Sequence, residues 1–112
     1  MKGIYLKFYT YEFQKHHGVL LFEWLLEFAK KNGIRGGSAF RALAGFGRHG
    51  VMHEEHFFEL ASDVPVEVQF IISEKEVDLL LDLLKKEKIN LFYTKAEIEF
   101  GNLANDNPNS QQ

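Results

Sequence analysis

The sequence has 112 residues, of which 46% are hydrophobic, and it carries a formal net charge of −3 and no cysteine. This length indicates one domain, and the 11 Phe and 4 Tyr residues supply enough apolar surface for a core. The acidic balance argues against nucleic acid as a partner, and the lack of cysteine excludes disulfides and thiol catalysis. Because cysteine-free chains suit a reducing compartment, we expect a cytoplasmic protein.

The first half of the chain predicts a strand, a helix and a second strand. Apolar and polar residues alternate over 4–9, which is a strand period, whereas residues 17–32 have a helical period that stops at Asn32 and Gly33. The apolar part of this segment, 19–29, is too short to span a bilayer and is interrupted by acidic residues, so we expect no direct membrane insertion. Residues 38–44 predict the second strand.

Two adjacent histidines, His16 and His17, fall at the predicted start of the first helix. At this position we expect His17 to cap or pack against the helix rather than bind a metal.

The second half of the chain predicts a strand, a helix and a last strand. Pro65 opens the third strand, and Ser73 with Glu76 forms a capping box at the start of the second helix. Residues 89–100 predict the last strand. The order β-α-β-β-α-β predicts an α+β, ferredoxin-like sandwich over residues 1–103, with two helices on one face of an antiparallel sheet. The polar tail 104–112 is predicted to be disordered.

The sheet face opposite the helices is predicted to carry large side chains, which indicates a self-association surface. The alternative is a monomer with scattered exposed aromatics, which are common. Five residues are assigned to this open face: Tyr5, Tyr9, Ile71, Leu91 and Tyr93. Four residues of the last strand are assigned to the opposite face: Phe92, Ala96, Ile98 and Phe100.

The long connection 45–63 begins with a candidate anion site formed by Arg41, Gly45, Gly47, Arg48 and His49. Glycine turns expose backbone amides to an anion, and arginine adds a two-pronged donor. The alternative is a plain turn with exposed arginines. A charge at position 41, inside a predicted strand, requires a partner, which is either a ligand or a carboxylate across a subunit interface.

The same connection contains His49, His53 and His56, whose spacing of four and three would bring imidazoles together on a helical turn. This spacing is an alternative prediction of a metal site. The other alternative is three solvated histidines, since Gly50 and the lack of an apolar stripe disfavour a helix. No catalytic triad or carboxylate pair has a recognisable spacing, so we predict that the protein is not an enzyme.

Several of these segments together resemble PII signalling proteins. The similarity rests on Ile34-Arg35-Gly36-Gly37 before the second strand and on Gly45-Phe46-Gly47-Arg48-His49-Gly50 after it. The pattern is more similar to that of a PII-like family known as domain-of-unknown-function family 190. The segments that resemble that family are Lys15-His16-His17-Gly18, Leu21-Phe22-Glu23, Phe40-Arg41, Gly45-Phe46-Gly47, Met52-His53, Phe57-Phe58 and Asp63-Val64-Pro65.

The resemblance implies a homotrimer that binds an effector between subunits and signals to a protein target, a transporter or an enzyme, through the T-loop. PII proteins also place a glycine-rich phosphate loop before the last strand and arginines at its end. Here these positions hold 85–90, which contains no glycine, and Glu97–Phe100, which contains no arginine. The resemblance therefore implies a small anionic effector, with an adenine nucleotide smaller than ATP as one candidate. The first rival is a metal-binding trimer that resembles the CutA group and uses His49, His53 and His56, and the second is an enzyme that uses the same histidines.

Overall fold

The computed structural model describes residues 1–45 and 64–104 of the chain. Within these residues the elements follow the predicted order, with one small hairpin added before the first helix. The elements are β1 (Lys2–Tyr11), β2 (Lys15–His16), β3 (Val19–Leu20), α1 (Leu21–Lys31), β4 (Ser38–Arg41), β5 (Pro65–Ile72), α2 (Glu74–Lys86) and β6 (Phe92–Glu99). Neither helix is long and apolar enough to cross a membrane.

The four long strands form one sheet in the order β4-β5-β1-β6, in which every neighbouring pair is antiparallel. This order is that of the ferredoxin-like sandwich, so the predicted fold is confirmed. The central pair, β1 and β5, runs in register from Ile4 opposite Ile72 to Tyr11 opposite Pro65.

The core lies between the sheet and the two helices. From Ile4 onward, the even-numbered residues of β1 and β5 point toward the helices and are buried, because side chains alternate across a strand. The buried cluster that joins them to the helices contains Ile4, Leu6, Phe8, Leu21, Leu25, Ala29, Ile34, Val66, Val68, Phe70, Ile72, Val77, Leu80 and Leu84.

The predicted start of the second helix and the predicted end of the first helix are both confirmed. The Ser73 side chain accepts from the Glu76 amide, while the Glu76 carboxylate accepts from the Ser73 amide at 2.8 Å. At the other helix, Gly33 follows the Asn32 cap with φ +90°, a left-handed conformation that glycine adopts without strain.

The start of the first helix was predicted wrongly. Helix α1 begins at Leu21, and its N-cap, Leu20, makes no side-chain cap. The preceding residues form the hairpin β2–β3, in which His17 and Gly18 have φ values of +53° and +82°. Two consecutive positive φ values are the signature of a type I′ turn, so His17 shapes a hairpin instead of capping a helix.

The orientation of the last strand was also predicted wrongly. Directly paired residues of an antiparallel sheet point to the same face, and the pairs Tyr9–Phe92 and Tyr5–Ala96 place these residues of β6 on the open face. Tyr93 lies on the helix side, with its ring 6.1 Å from that of Phe8. Leu91 packs against the core cluster. The assignments of Tyr5, Tyr9 and Ile71 to the open face are confirmed.

Candidate functional site

The two chain segments that flank residues 46–63 are held together as a paired stem. In this stem β4 pairs with the start of β5, with Arg41 opposite Val66. The Ala42 amide donates to the Pro65 carbonyl at 3.0 Å, and the Glu12 amide donates to the Val64 carbonyl at 2.8 Å. These bonds fix the position from which the long connection leaves the sheet and returns to it.

Arg41, the first predicted effector-binding residue, lies at this stem. Its Nε donates to the Glu12 carboxylate at 3.0 Å, and its side chain remains more than half exposed. The partner that this charge requires is thus a carboxylate of its own chain. Because a guanidinium carries five N–H donors, a pair through Nε leaves the fork of Arg41 with donors for an anion.

Gly45, the second predicted residue, has φ +153°, which side-chain-bearing residues rarely adopt. It lies three residues beyond the hydrogen-bonded Ala42 and is half-buried. Arg41 and Gly45 both lie in the segment through which the chain leaves β4 for the long connection. The remaining predicted effector residues, Gly47, Arg48 and His49, lie outside the described residues. So do the other two predicted metal ligands, His53 and His56.

A groove at the other end of β4 was missed by the sequence reasoning. It encloses about 490 Å³, within the range of small-molecule sites. Gly37 lines this groove beside Phe70, and a Cβ added at Gly37 would lie 2.5 Å from Cε1 of Phe70. The lining residues are Tyr5, Arg35, Gly36, Gly37, Ser38, Phe40, Gln69, Phe70, Ile71, Ile72, Glu76 and Phe100.

Arg35 gives this groove its positive charge. It is exposed, and it forms no ion pair with any residue in 1–45 or 64–104. The sequence signal that could have revealed the groove is Arg35-Gly36-Gly37, two glycines and a cation between a helix end and a strand. The groove opens onto the same sheet face that carries Tyr5 and Ile71.

The open face of the sheet combines a polar centre with apolar edges. Lys7 lies 3.7 Å from the Glu67 carboxylate, and the Tyr5 hydroxyl donates to Gln69 at 2.5 Å. Phe40 on the edge strand β4 and Ile71 on β5 are 54% and 55% exposed. The face therefore carries large apolar side chains that are more than half exposed in the single chain.

Comparison with known families gives a match over nearly the whole chain. The family DUF190, described as "Uncharacterized ACR, COG1993", matches residues 3–99. A UPF0166 protein of Aquifex aeolicus is 33% identical over 94 residues, which cover 84% of this chain and 89% of that protein. A UPF0166 protein of Methanocaldococcus jannaschii is 29% identical over 75% of this chain and 77% of its own length.

Solved structures of PII-like proteins share the fold. A putative PII-like signalling protein of Thermus thermophilus matches with a TM-score of 0.59 at 16% identity, over 87% of both chains. CPII, a nitrogen regulatory PII-like protein of Thiomonas intermedia bound to ADP, AMP and bicarbonate, matches with a TM-score of 0.61 at 18% identity, over 90% of this chain and 97% of its own. At these identities the likeness concerns the fold.

Proposed function

The chain belongs to the DUF190 family, and from this premise we propose that it is a PII-like regulatory protein and not an enzyme. It binds a small anionic effector at a subunit interface, and residues 45–60 report the bound state to a protein target. The observation that carries this proposal is the paired stem. Its hydrogen bonds pair Arg41 and Ala42 with the start of β5 where the long connection begins, on a fold shared with PII-like signalling proteins, and this supports an effector site there.

The proposed effector site consists of Arg41, Gly45, Gly47, Arg48 and His49. Arginine forks and glycine amides recognise phosphate and carboxylate groups. CPII, which shares the fold, has been solved with ADP, AMP and bicarbonate. We propose a nucleoside mono- or diphosphate for this chain, because segment 85–90 lacks the glycines and Glu97–Phe100 the arginines that would bind a third phosphate.

The proposed assembly is a cytoplasmic homotrimer, joined through the open face of the sheet. Phe40, Ile71 and Phe92 are large apolar side chains that are 54%, 55% and 42% exposed in the single chain. Burial of such surface is worth about 25 cal/mol for each Å² removed from water. A trimer would also supply the second wall of an effector site between subunits. The signal then follows from ordering of residues 45–60 by ligand contacts, which a target protein can read.

Isothermal titration of the full-length protein with ADP, AMP and ATP tests the effector site. We expect ADP or AMP to bind, and the variant Arg48→Ala to weaken binding at least tenfold, since it removes a charged donor pair. Lys31→Ala is the control, because it removes an exposed cation in the last turn of α1, outside the proposed site and outside the Arg35 groove. No binding of any of the three nucleotides, or equal binding by Arg48→Ala, would contradict the proposal.

A further inference from the structure

His16, His17 and Glu87 come together on the surface although 71 residues separate His16 from Glu87. The Nε2 atoms of His16 and His17 lie 3.2 Å and 3.5 Å from the same Glu87 oxygen, Oε1. The three ligand atoms all lie within 4.8 Å of one another. Two imidazole nitrogens and one carboxylate oxygen therefore converge on one point.

The backbone of the hairpin explains how two neighbouring histidines share one side. Consecutive side chains of a strand point to opposite faces, so a regular strand would separate them. Here His17 is in the left-handed conformation, with φ +53°, and the two rings come within 4.0 Å of each other, centre to centre. Histidine is one of the few residues enriched in this conformation.

The third side chain of the cluster, Glu87, lies at a helix end beside a second residue in the left-handed conformation. Glu87 caps the C-terminal end of α2, and Lys88, directly after it, has φ +58°. Among the described residues, His17 and Lys88 are the only two non-glycine residues that have positive φ. Left-handed non-glycine residues are uncommon and are found often at functional sites. One of the two is itself a member of the cluster, and the other directly follows Glu87.

We propose that His16, His17 and Glu87 bind a divalent transition-metal ion, for which Zn²⁺ is the best fit. Zinc sites with two histidines and one glutamate leave a fourth position open. Zn–N distances of about 2.0–2.1 Å place the ligand atoms of a tetrahedron about 3.3 Å apart. The two observed distances of 3.2 Å and 3.5 Å match this spacing. Imidazole suits zinc and disfavours Mg²⁺ and Ca²⁺.

The cluster is packed against Trp24 on the side of His16 and is open to solvent on the side of His17. The His16 side chain is 16% exposed, and its ring packs edge-on against Trp24 with centres 4.5 Å apart. Trp24 in turn stacks on Phe28, one turn further along the same helix. The His17 side chain is 70% exposed, so an ion and its water ligand can reach the site from solvent. The bound ion clamps hairpin β2–β3 to the end of α2.

Titration of the full-length protein with Zn²⁺ and with Mg²⁺, each followed by calorimetry, tests the site. We expect one Zn²⁺ per chain, no Mg²⁺ binding, and at least tenfold weaker Zn²⁺ binding for His17→Asn and Glu87→Gln. Asparagine tolerates the left-handed conformation, so His17→Asn removes the imidazole while the hairpin keeps its shape. Lys88→Asn is the matched control with the same new residue in the same conformation, and its Zn²⁺ affinity should not fall.

Two further measurements distinguish this site from the histidines of the long connection. Trp24 is the only tryptophan of the chain, so Ni²⁺ bound beside His16 should quench its fluorescence, and His17→Asn should lose the quenching. A triple variant, His49→Ala, His53→Ala and His56→Ala, should keep full Zn²⁺ binding. Three results would overturn the proposal. They are loss of Zn²⁺ binding in the triple variant alone, unchanged Zn²⁺ binding in His17→Asn and Glu87→Gln, and no Zn²⁺ binding by any form of the protein. The last result would leave only a histidine–glutamate hydrogen bond.

Discussion

The two faces of the sheet are built from the same strands but have opposite characters. On the helix side, Leu6, Phe8 and Val68 are at most 1% exposed. On the open side, Tyr5 and Tyr9 are half-buried, and Ile71 is 55% exposed. The helices of its own chain cover one face, whereas the other face carries partly exposed side chains.

Strand β6 shows what this difference means. Its apolar residues Phe92, Ala96 and Ile98 point to the open face, whereas Lys95 and Glu97 share the helix side with Leu6 and Ile4. Apart from Ile98 the whole strand is exposed. A strand that turns its apolar side away from its own helices is suited to packing on another copy. The open face is therefore the surface on which the proposed trimer depends.

The most severe test of this comparison places a charge on the open face. Ile71→Lys should abolish the trimer, because an unpaired lysine would be buried in the interface. Light scattering would then give the mass of a single chain, while circular dichroism keeps the native helix signal. The matched control is Leu79→Lys on α2, where the leucine is 44% exposed, and it should leave the mass unchanged. Equal masses for the two variants would remove the distinction between these surfaces.

Shortening a side chain on the helix side of the sheet should lower the free energy of unfolding. Leu6 is fully buried at the centre of the core, so Leu6→Ala should reduce the free energy of unfolding by about 3 kcal/mol. Urea denaturation at one fixed protein concentration measures this loss, since the stability of an oligomer depends on concentration. Leu79→Ala is the control and should cost less than about 1 kcal/mol. A similar cost for both would mean that the helix side is not the principal core.

A glycine at the edge of the core gives a smaller effect. Gly37→Ala should cost about 2 kcal/mol, because the new methyl group would meet the Phe70 ring at 2.5 Å. Its neighbour Gly36 has no atom within 4 Å of an added Cβ, so Gly36→Ala should change the free energy of unfolding by less than about 0.5 kcal/mol. Thermal unfolding of the two variants compares them directly. A neutral Gly37→Ala would show that Phe70 is free to move.

The smallest expected effect concerns the cap of the helix that covers β1. Ser73→Ala removes the acceptor for the Glu76 amide and should cost about 1 kcal/mol. Ser38→Ala, a change at an exposed strand serine, should stay within about 0.5 kcal/mol. Chemical denaturation distinguishes the two. Identical midpoints would indicate that the end of α2 frays without loss of packing.

The fold was predictable from the sequence because its signals are local and repeated. Alternation in β1 and β5, the Ser73–Glu76 capping box and the stop at Gly33 each define an element within a few residues. The side of the sheet to which the apolar residues of β6 point was not predictable in this way. Its apolar residues alternate correctly, but alternation shows that one side is apolar and not which partner covers that side.

The candidate sites were less predictable because they depend on long-range contacts. The partner of Arg41 is Glu12, 29 residues earlier, and nothing in the local sequence indicates the pair. The histidines at 16 and 17 were interpreted as a helix start, since a two-residue turn carries almost no periodic signal. Their approach to Glu87 follows from the packing of the hairpin on the end of α2.

Sedimentation equilibrium of the unmodified 112-residue chain tests whether the open face joins three copies. If the open face is an interface between copies, the protein should sediment over a wide concentration range as one species of about 39 kDa, three times the chain mass of 13.0 kDa. A mass of 13.0 kDa at every concentration would contradict the proposed trimer, because the open face would then be solvated and an effector site between subunits could not form.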